Sequence, residues 1–230
     1  MAAWLTRFKN RRKFVGLGLM AIVLAGIVTY GAVTRRQWFQ GNFGVVEPNR
    51  VFRSAQPTGN LRALITDYQI ASVLNLRGGS SRDPWYADEL AVTKELDVSF
   101  YDLSISATKR PSRAQLLAML DLFKHCKYPL LIHCRQGADR TGMASGLYLL
   151  SEREVAPEHA IDQFTIAHGH VPLFGPERLH EPLDEYAKYL TKERLAHTSK
   201  RFHDWVAHDY VADDELTAFK PLEPGPRVRR

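Results

Sequence analysis

Apolar positions along the chain fall into one long run followed by many short ones. Residues 14–33 form an uncharged, mainly apolar stretch of 20 residues. At the rise of an α-helix this spans about 30 Å, the thickness of a bilayer's hydrocarbon core. Core helices seldom stay apolar all round at such length, so the run predicts a transmembrane helix. A cleaved signal peptide carries an apolar region of about 7–15 residues, which favours an uncleaved anchor here. Beyond residue 40, short strand-like runs occur at 44–46, 51–53, 72–76, 98–103 and 130–133. Between them lie helix-period stretches: Leu61, Leu64, Ile65 and Tyr68 share one face, as do Leu116, Leu117, Leu120 and Phe123. Ser112, with Gln115 three residues on, predicts a capping box that opens the second of these helices. Further helices are predicted at 142–151, 157–168 (with Pro157 at the first helical position), 177–190 and 199–210. Strands alternating with helices, then a helical C-terminal half, indicate an α/β domain with a small central, mainly parallel sheet flanked by helices.

Charge changes this picture at one end only. The formal net charge is +6. Arg7, Lys9, Arg11, Arg12, Lys13, Arg35 and Arg36 all precede the first acid, Glu47. The other 24 of the 31 basic residues face all 25 acids, so the remainder is formally −1. A general nucleic-acid-binding surface is therefore poorly supported, and no nucleic-acid partner is expected. Five basic residues precede the apolar run and two follow it, so the positive-inside rule puts the N-terminus in the cytoplasm. The body would lie outside the cytoplasm, in the periplasm of a Gram-negative cell. The predicted organisation is a basic N-terminus at 1–13, an anchor at 14–33, a linker at 34–41, a catalytic domain at 42–212 and a tail at 213–230.

The chemistry concentrates in His133-Cys134-Arg135-Gln136-Gly137-Ala138-Asp139-Arg140-Thr141. Residues 130–132 read as a strand and residue 141 onward as a helix, so Cys134 sits where a strand enters a loop. Loop amides and the positive end of the following helix converge on one point, an arrangement that binds an anion and favours a thiolate. Arg135, Gln136, Gly137, Ala138, Asp139 and Arg140 are the candidate phosphate-binding positions. Gly137 allows close backbone approach, and the planar fork of Arg140 can hold two phosphoryl oxygens. Thr141 can donate its hydroxyl to the cysteine sulfur. His133 is read as a buried orienting residue, because a thiolate needs no base.

This segment matches the Cys-x5-Arg-[Ser/Thr] signature of protein tyrosine and dual-specificity phosphatases, preceded by their usual His. The resemblance extends upstream through Asn42-Phe43-Gly44-Val45-Val46, Val51-Phe52-Arg53-Ser54-Ala55-Gln56-Pro57 and Val73-Leu74-Asn75-Leu76-Arg77. Together these look like the entry of compact bacterial dual-specificity-like phosphatases, over roughly residues 42–150. The resemblance implies a dual-specificity-phosphatase-like fold and a two-step reaction without metal or cofactor. Cys134 attacks phosphorus to give a phosphocysteine, and water then hydrolyses it. The aromatic substrate-recognition loop of strictly tyrosine-specific enzymes has no counterpart here.

The leaving group needs a proton, usually from an Asp on the loop after the strand that precedes the capped helix. That connection, 104–111, contains no acid. Two candidates remain: Asp102, within the strand, and Asp139, inside the anion loop. Asp139 is slightly favoured, because a carboxyl beside a bound phosphate keeps its proton more readily. Lys109 and Arg110 are candidate contacts for a second substrate phosphate. His168 and His170 lack partners at metal-ligand spacing and are assigned to a helix end and loop, so no metal site is expected. Phe202, Trp205 and Tyr210 form a packing face. Cys126, eight residues before Cys134, is read as a core position, and an oxidising compartment would allow an inactivating disulfide between the two.

The leading expectation is a membrane-anchored phosphomonoesterase acting on phosphorylated proteins. An alternative is an enzyme for phosphoinositides, inositol phosphates, lipid phosphates or sugar phosphates. A third, of another class, is a phosphate-binding pseudophosphatase that recruits partners to a membrane.

Overall fold

The computed structural model describes residues 19–31, 41–173 and 175–212. Five short strands form one sheet: β1 (Gly44–Glu47), β2 (Val51–Ser54), β3 (Ser72–Asn75), β4 (Ser99–Asp102) and β5 (Leu130–His133). Their order is β1-β2-β5-β3-β4. The β1–β2 pair is antiparallel, with its register shifted between Val45 and Glu47. The β2–β5, β5–β3 and β3–β4 pairs are parallel, so the sheet is mainly parallel as predicted. All four residues of β2, β3 and β5 are buried. Burial on both faces is what makes such strands read as continuous apolar runs.

Alternation along the strands divides the core in two. Val51, Leu74, Leu130 and Ile132 face one layer, packed with Leu116, Leu120, Phe123, Met143 and Leu147. Phe52, Val73 and Leu131 face the other, against Leu61 and Ile65. Helices therefore cover both faces, and the C-terminal ends of the central parallel strands open together at one edge, where ligands bind in open α/β sheets.

Seven α-helices are described in the body: α1 (Leu61–Tyr68), α2 (Pro84–Glu95), α3 (Arg113–His125), α4 (Asp139–Arg153), α5 (Pro157–Ala160), α6 (Glu181–Glu193) and α7 (Ser199–His208). The capping box of α3 is present, with Ser112 accepting from the Gln115 amide and the Gln115 side chain reaching back. The helix predicted at 157–168 is instead α5 followed by two 3-10 turns, Ile161–Gln163 and Ile166–His168. One reason is that the Gln163 carbonyl turns away to accept from Arg53. Helix α2 has no apolar period, because its buried residues are Glu89 and Thr93. The aromatic packing face holds: Trp205 lies 5.5 Å from Tyr210 and 6.2 Å from Phe202, ring centre to ring centre.

At the N-terminal end, residues 19–31 are helical and exposed along their whole length. Among the described residues, no helix is long and apolar enough to cross a membrane. The remaining positions of the predicted 14–33 span, like residues 34–40 of the linker and the 213–230 tail, lie outside the described residues.

Candidate active site

Strand β5 is central in the sheet and delivers Cys134 to its open edge. The following loop turns into α4 within five residues, and its shape is enforced from behind. The side chain of Arg53, 1% exposed, reaches along the back of the loop. Its Nη2 donates to the carbonyls of Gly137 (2.9 Å) and Ala138 (3.3 Å), and its Nη1 donates to the Gln163 carbonyl (2.7 Å). Asn42, fully buried, donates from Nδ2 to the carbonyls of Gln136 and His168, both at 2.8 Å. With these carbonyls held outward, the loop amides are free to face inward. The Gly137 amide donates to Cys134 Sγ at 3.3 Å.

Gly137 has φ +68, and a Cβ there would stand 2.5 Å from the Ser54 carbonyl carbon and the Ala55 nitrogen. The close approach expected at this glycine is thus to the protein's own backbone at the end of β2.

Arg140 lies in the first turn of α4, and its Nη1 donates to the carbonyls of Leu76 and Ile105, each at 3.2 Å. The guanidinium has five donors in a fork, so this anchorage leaves the other nitrogens for a phosphoryl group. Arg77, beyond β3, packs its guanidinium 3.9 Å above the Trp85 ring and donates to Gln56 Oε1 at 3.2 Å. Burial, then the like charges of Arg135 and Arg140, hold its pKa below the usual arginine value. Sequence reasoning did not assign Arg77, Arg53 or Asn42 a role in the site.

Behind Cys134, His133 is fully buried, and its Nε2 lies 3.5 Å from Glu89 Oε2. The two are not an ion pair. Burial lowers His133 to about 3 and pushes Glu89 up to about 8, so both are neutral at pH 7. Gln56 Nε2 donates to Glu89 Oε1. The expected burial of His133 is present, and its neighbour Glu89 is a residue the sequence did not reveal.

The two candidate acids sit in different surroundings. Asp102 ends β4 and is exposed. Its Oδ2 accepts from the Tyr86 hydroxyl (2.7 Å) and its Oδ1 from Asn75 Nδ2 (3.4 Å). That hydrogen bond, then burial, pushes the Tyr86 phenol up to about 12, so it remains the donor and Asp102 the acceptor. Asp139 opens α4, and its Oδ1 lies 2.8 Å from His170 Nδ1.

Three other sequence candidates have defined surroundings. Thr141 is fully buried, and its hydroxyl has no hydrogen-bond partner among the described residues; the Gly137 amide is the donor to the sulfur. Arg110 does not face the site: it is buried and bidentate to Glu185, at 2.5 and 2.6 Å, with Glu181 at 3.5 Å. Cys126 and Cys134 are free, buried thiols. Among the described residues, no group of His, Cys, Asp and Glu is arranged to hold a metal.

Solved structures share this fold. The core catalytic domain of the PP-IP phosphatase SIW14 from S. cerevisiae, in complex with citrate, matches with a TM-score of 0.50 at 19% identity, covering 66% of this chain and 93% of that one. TpbA from P. aeruginosa, as a Cys-to-Ser form in complex with phosphotyrosine, gives 0.52 at 17%, covering 74% and 92%. A mutant form of Tk-PTP gives 0.50 at 22%, covering 65% and 97%. No curated protein matches the chain by sequence. The family described as DSP-PTPase phosphatase fused to NAD+ kinase matches residues 24–169. With that match spanning more than half of the chain, and the cysteine loop and its scaffold as described, the protein belongs to this family of dual-specificity and tyrosine-type phosphatases and is a phosphomonoester hydrolase of the kind that uses no metal.

Proposed function

We propose that this chain is a membrane-tethered phosphatase whose catalytic domain, residues 42–212, removes phosphate from phosphorylated proteins through a phosphocysteine on Cys134. The observation that carries the reading is the Gly137 amide aimed at Cys134 Sγ, on a loop whose carbonyls Arg53 and Asn42 hold outward. The Gly137 amide and the N-terminus of α4 meet at the sulfur, an arrangement that suits the oxygens of a phosphoryl group there. In the first step Cys134 Sγ bonds to phosphorus as the bond to the leaving oxygen breaks. Arg140, together with the amides of residues 135–140, holds the equatorial oxygens, and Asp139 protonates the leaving oxygen. In the second step Asp139 takes a proton from water, which attacks phosphorus and releases the Cys134 sulfur. A buried hydroxyl without a partner is costly, by about 1–3 kcal/mol. The sulfur as it leaves is the acceptor that the Thr141 hydroxyl would serve.

Asp139 is preferred to Asp102 because it sits in the anion loop beside Arg140, whereas both Asp102 carboxylate oxygens are turned to Tyr86 and Asn75. A phosphotyrosine-bound structure of TpbA supports the protein-substrate reading by analogy of fold. One observation favours a second reading: Arg135 and Arg140 are near enough to Arg77 to lower its pKa, and such a gathering of positive charge suits a substrate with more than one phosphate, such as a phosphoinositide or an inositol phosphate. SIW14, named a PP-IP phosphatase, has the same fold.

The tether is proposed at residues 14–33, with residues 1–13 in the cytoplasm and the domain outside it. Its support is the apolar run itself and the exposure of Leu19, Ile22, Val23, Leu24, Ile27 and Val28 on the described part of the helix. Reporter fusions after residue 36 test the orientation. For the chemistry, Cys134→Ser abolishes turnover of an aryl phosphate, while EDTA leaves the unmodified enzyme active. Turnover surviving Cys134→Ser contradicts the reading. A reduced, folded, inactive parent protein would favour phosphate binding without catalysis. Phosphopeptides compared with phosphoinositides and inositol phosphates decide the substrate class. Asp139→Asn should slow poor leaving groups most, and Asp102→Asn should not; the reverse pattern would move the acid to Asp102.

A further inference from the structure

His170 comes from a part of the chain that carries no recognised phosphatase motif, yet it reaches the anion loop. The Ile166–His168 turn ends at Gly169 in the left-handed conformation, and the His170 amide returns to the Thr165 carbonyl at 3.0 Å. Asn42 fixes the same turn to the loop by bonding the carbonyls of both His168 and Gln136. The His170 ring is 5% exposed and is enclosed by Phe164, whose ring centre lies 4.8 Å away, and by His180 at 5.6 Å. Its Nδ1 therefore has one fixed partner, Asp139 Oδ1, at 2.8 Å.

We infer that Asp139 does not act as an isolated acid and that His170 is its positioning residue, so that the two side chains hold and deliver one proton as a unit. The inference rests on Asp139 being the acid, as proposed above. A lone carboxyl gives up its proton near pH 4 and an imidazole near 6.5. A carboxylate within hydrogen-bond distance of an imidazole can share one proton with the ring, so the two titrate as a coupled pair and not as separate groups. In the first step that proton passes through Asp139 to the leaving oxygen as the P–O bond breaks, and both partners end without it. In the second step the pair recovers one proton from water as the S–P bond breaks. The balance closes with no other reactant. The arrangement also accounts for the acid-free 104–111 connection, because the donor belongs to the anion loop itself.

The groups that bear on this titration are few. His180 faces His170 ring to ring and is itself bonded to Asp184 at 2.8 Å. Arg140 neighbours Asp139 in sequence, and Arg53 holds the Gly137 and Ala138 carbonyls just before it. Neither arginine changes charge between pH 5 and 9.

The test uses the full chain in detergent, with aryl phosphates whose leaving groups differ in basicity. His170→Asn keeps an amide donor near Nδ1 but no proton to share. Its basic limb of kcat against pH should move down by about two pH units, with KM nearly unchanged. Toward poor leaving groups Asp139→Asn should lose activity by about 100-fold or more at every pH. If Asp139→Asn behaves so while His170→Asn retains the parent profile, the pair is refuted and the acid stands. Should Asp139→Asn leave poor leaving groups unaffected, the acid assignment fails and the pair with it. A histidine NMR titration of the parent protein and Asp139→Asn needs no histidine variant to fold. The midpoint of His170 should fall when the carboxylate is removed, and an unmoved midpoint refutes the pair.

Discussion

Replacing Glu89 by glutamine should make the protein more stable, and increasingly so as the pH rises. Glu89 is 1% exposed, and burial raises it from 4.5 to about 8. Between those values the folded protein keeps a proton that the unfolded chain has lost. Stability tied to this group is therefore fully present below about pH 4.5 and is lost as the pH rises toward 8. At about 1.4 kcal/mol per pH unit the loss reaches about 3 kcal/mol at pH 7 and levels off near 5 kcal/mol above pH 8. Glutamine is close to isosteric with the protonated side chain. Its carbonyl can accept from Gln56, and its amide can face His133 Nε2, so the variant loses no partner. Urea unfolding of the parent and Glu89→Gln, at intervals from pH 6.5 to 9, measures the difference directly. That range avoids the opposite contribution of His133, whose stability is present above about 6.5 and is lost as the pH falls toward 3. A gap that widens with pH is expected. A gap constant within error, or one that narrows, would refute the picture of a buried neutral carboxyl behind the nucleophile.

Three further substitutions probe the scaffold. Gly137→Ala forces a Cβ to within 2.5 Å of the Ser54–Ala55 backbone at φ +68, and should lower kcat at least tenfold and cost about 1–3 kcal/mol in thermal unfolding. Arg53→Lys keeps the charge but not the fork that bonds Gly137, Ala138 and Gln163. It should cost about 3 kcal/mol and raise the inhibition constant for vanadate, a phosphate mimic. Arg110→Ala breaks the contacts to Glu185 and Glu181, and should destabilise by about 1–3 kcal/mol while leaving kcat/KM for an aryl phosphate within about twofold. A large rise in KM would instead make Arg110 a substrate contact.

What could be read along the chain was whatever is contiguous or periodic. The cysteine loop carries its chemistry in nine consecutive residues, and β2, β3 and β5 announce themselves because both of their faces are buried. The supports of that loop are neither contiguous nor periodic. Arg53 looks like the polar end of a strand, and its targets lie 84 and 85 residues on. Helix α2 buries Glu89 and Thr93, the opposite of the pattern that marks a helix in sequence. His170 reads in sequence as a helix-end or loop residue, since its partner Asp139 is 31 residues away and on another element. Arg110 drew attention as an exposed basic loop residue, whereas its charge is spent on α6. In each case burial and a distant partner decided the role, and neither is visible in local pattern.

In the proposed reaction Cys134 carries the phosphoryl group between the two steps. Rapid acid quenching of the full chain during turnover of an aryl phosphate, followed by mass spectrometry of its peptides, tests this. One phosphoryl group is expected on the peptide containing Cys134, formed at the rate of a product burst and absent from Cys134→Ser. A burst with the label on another residue, or turnover with no labelled enzyme and an undiminished Cys134→Ser variant, would contradict it.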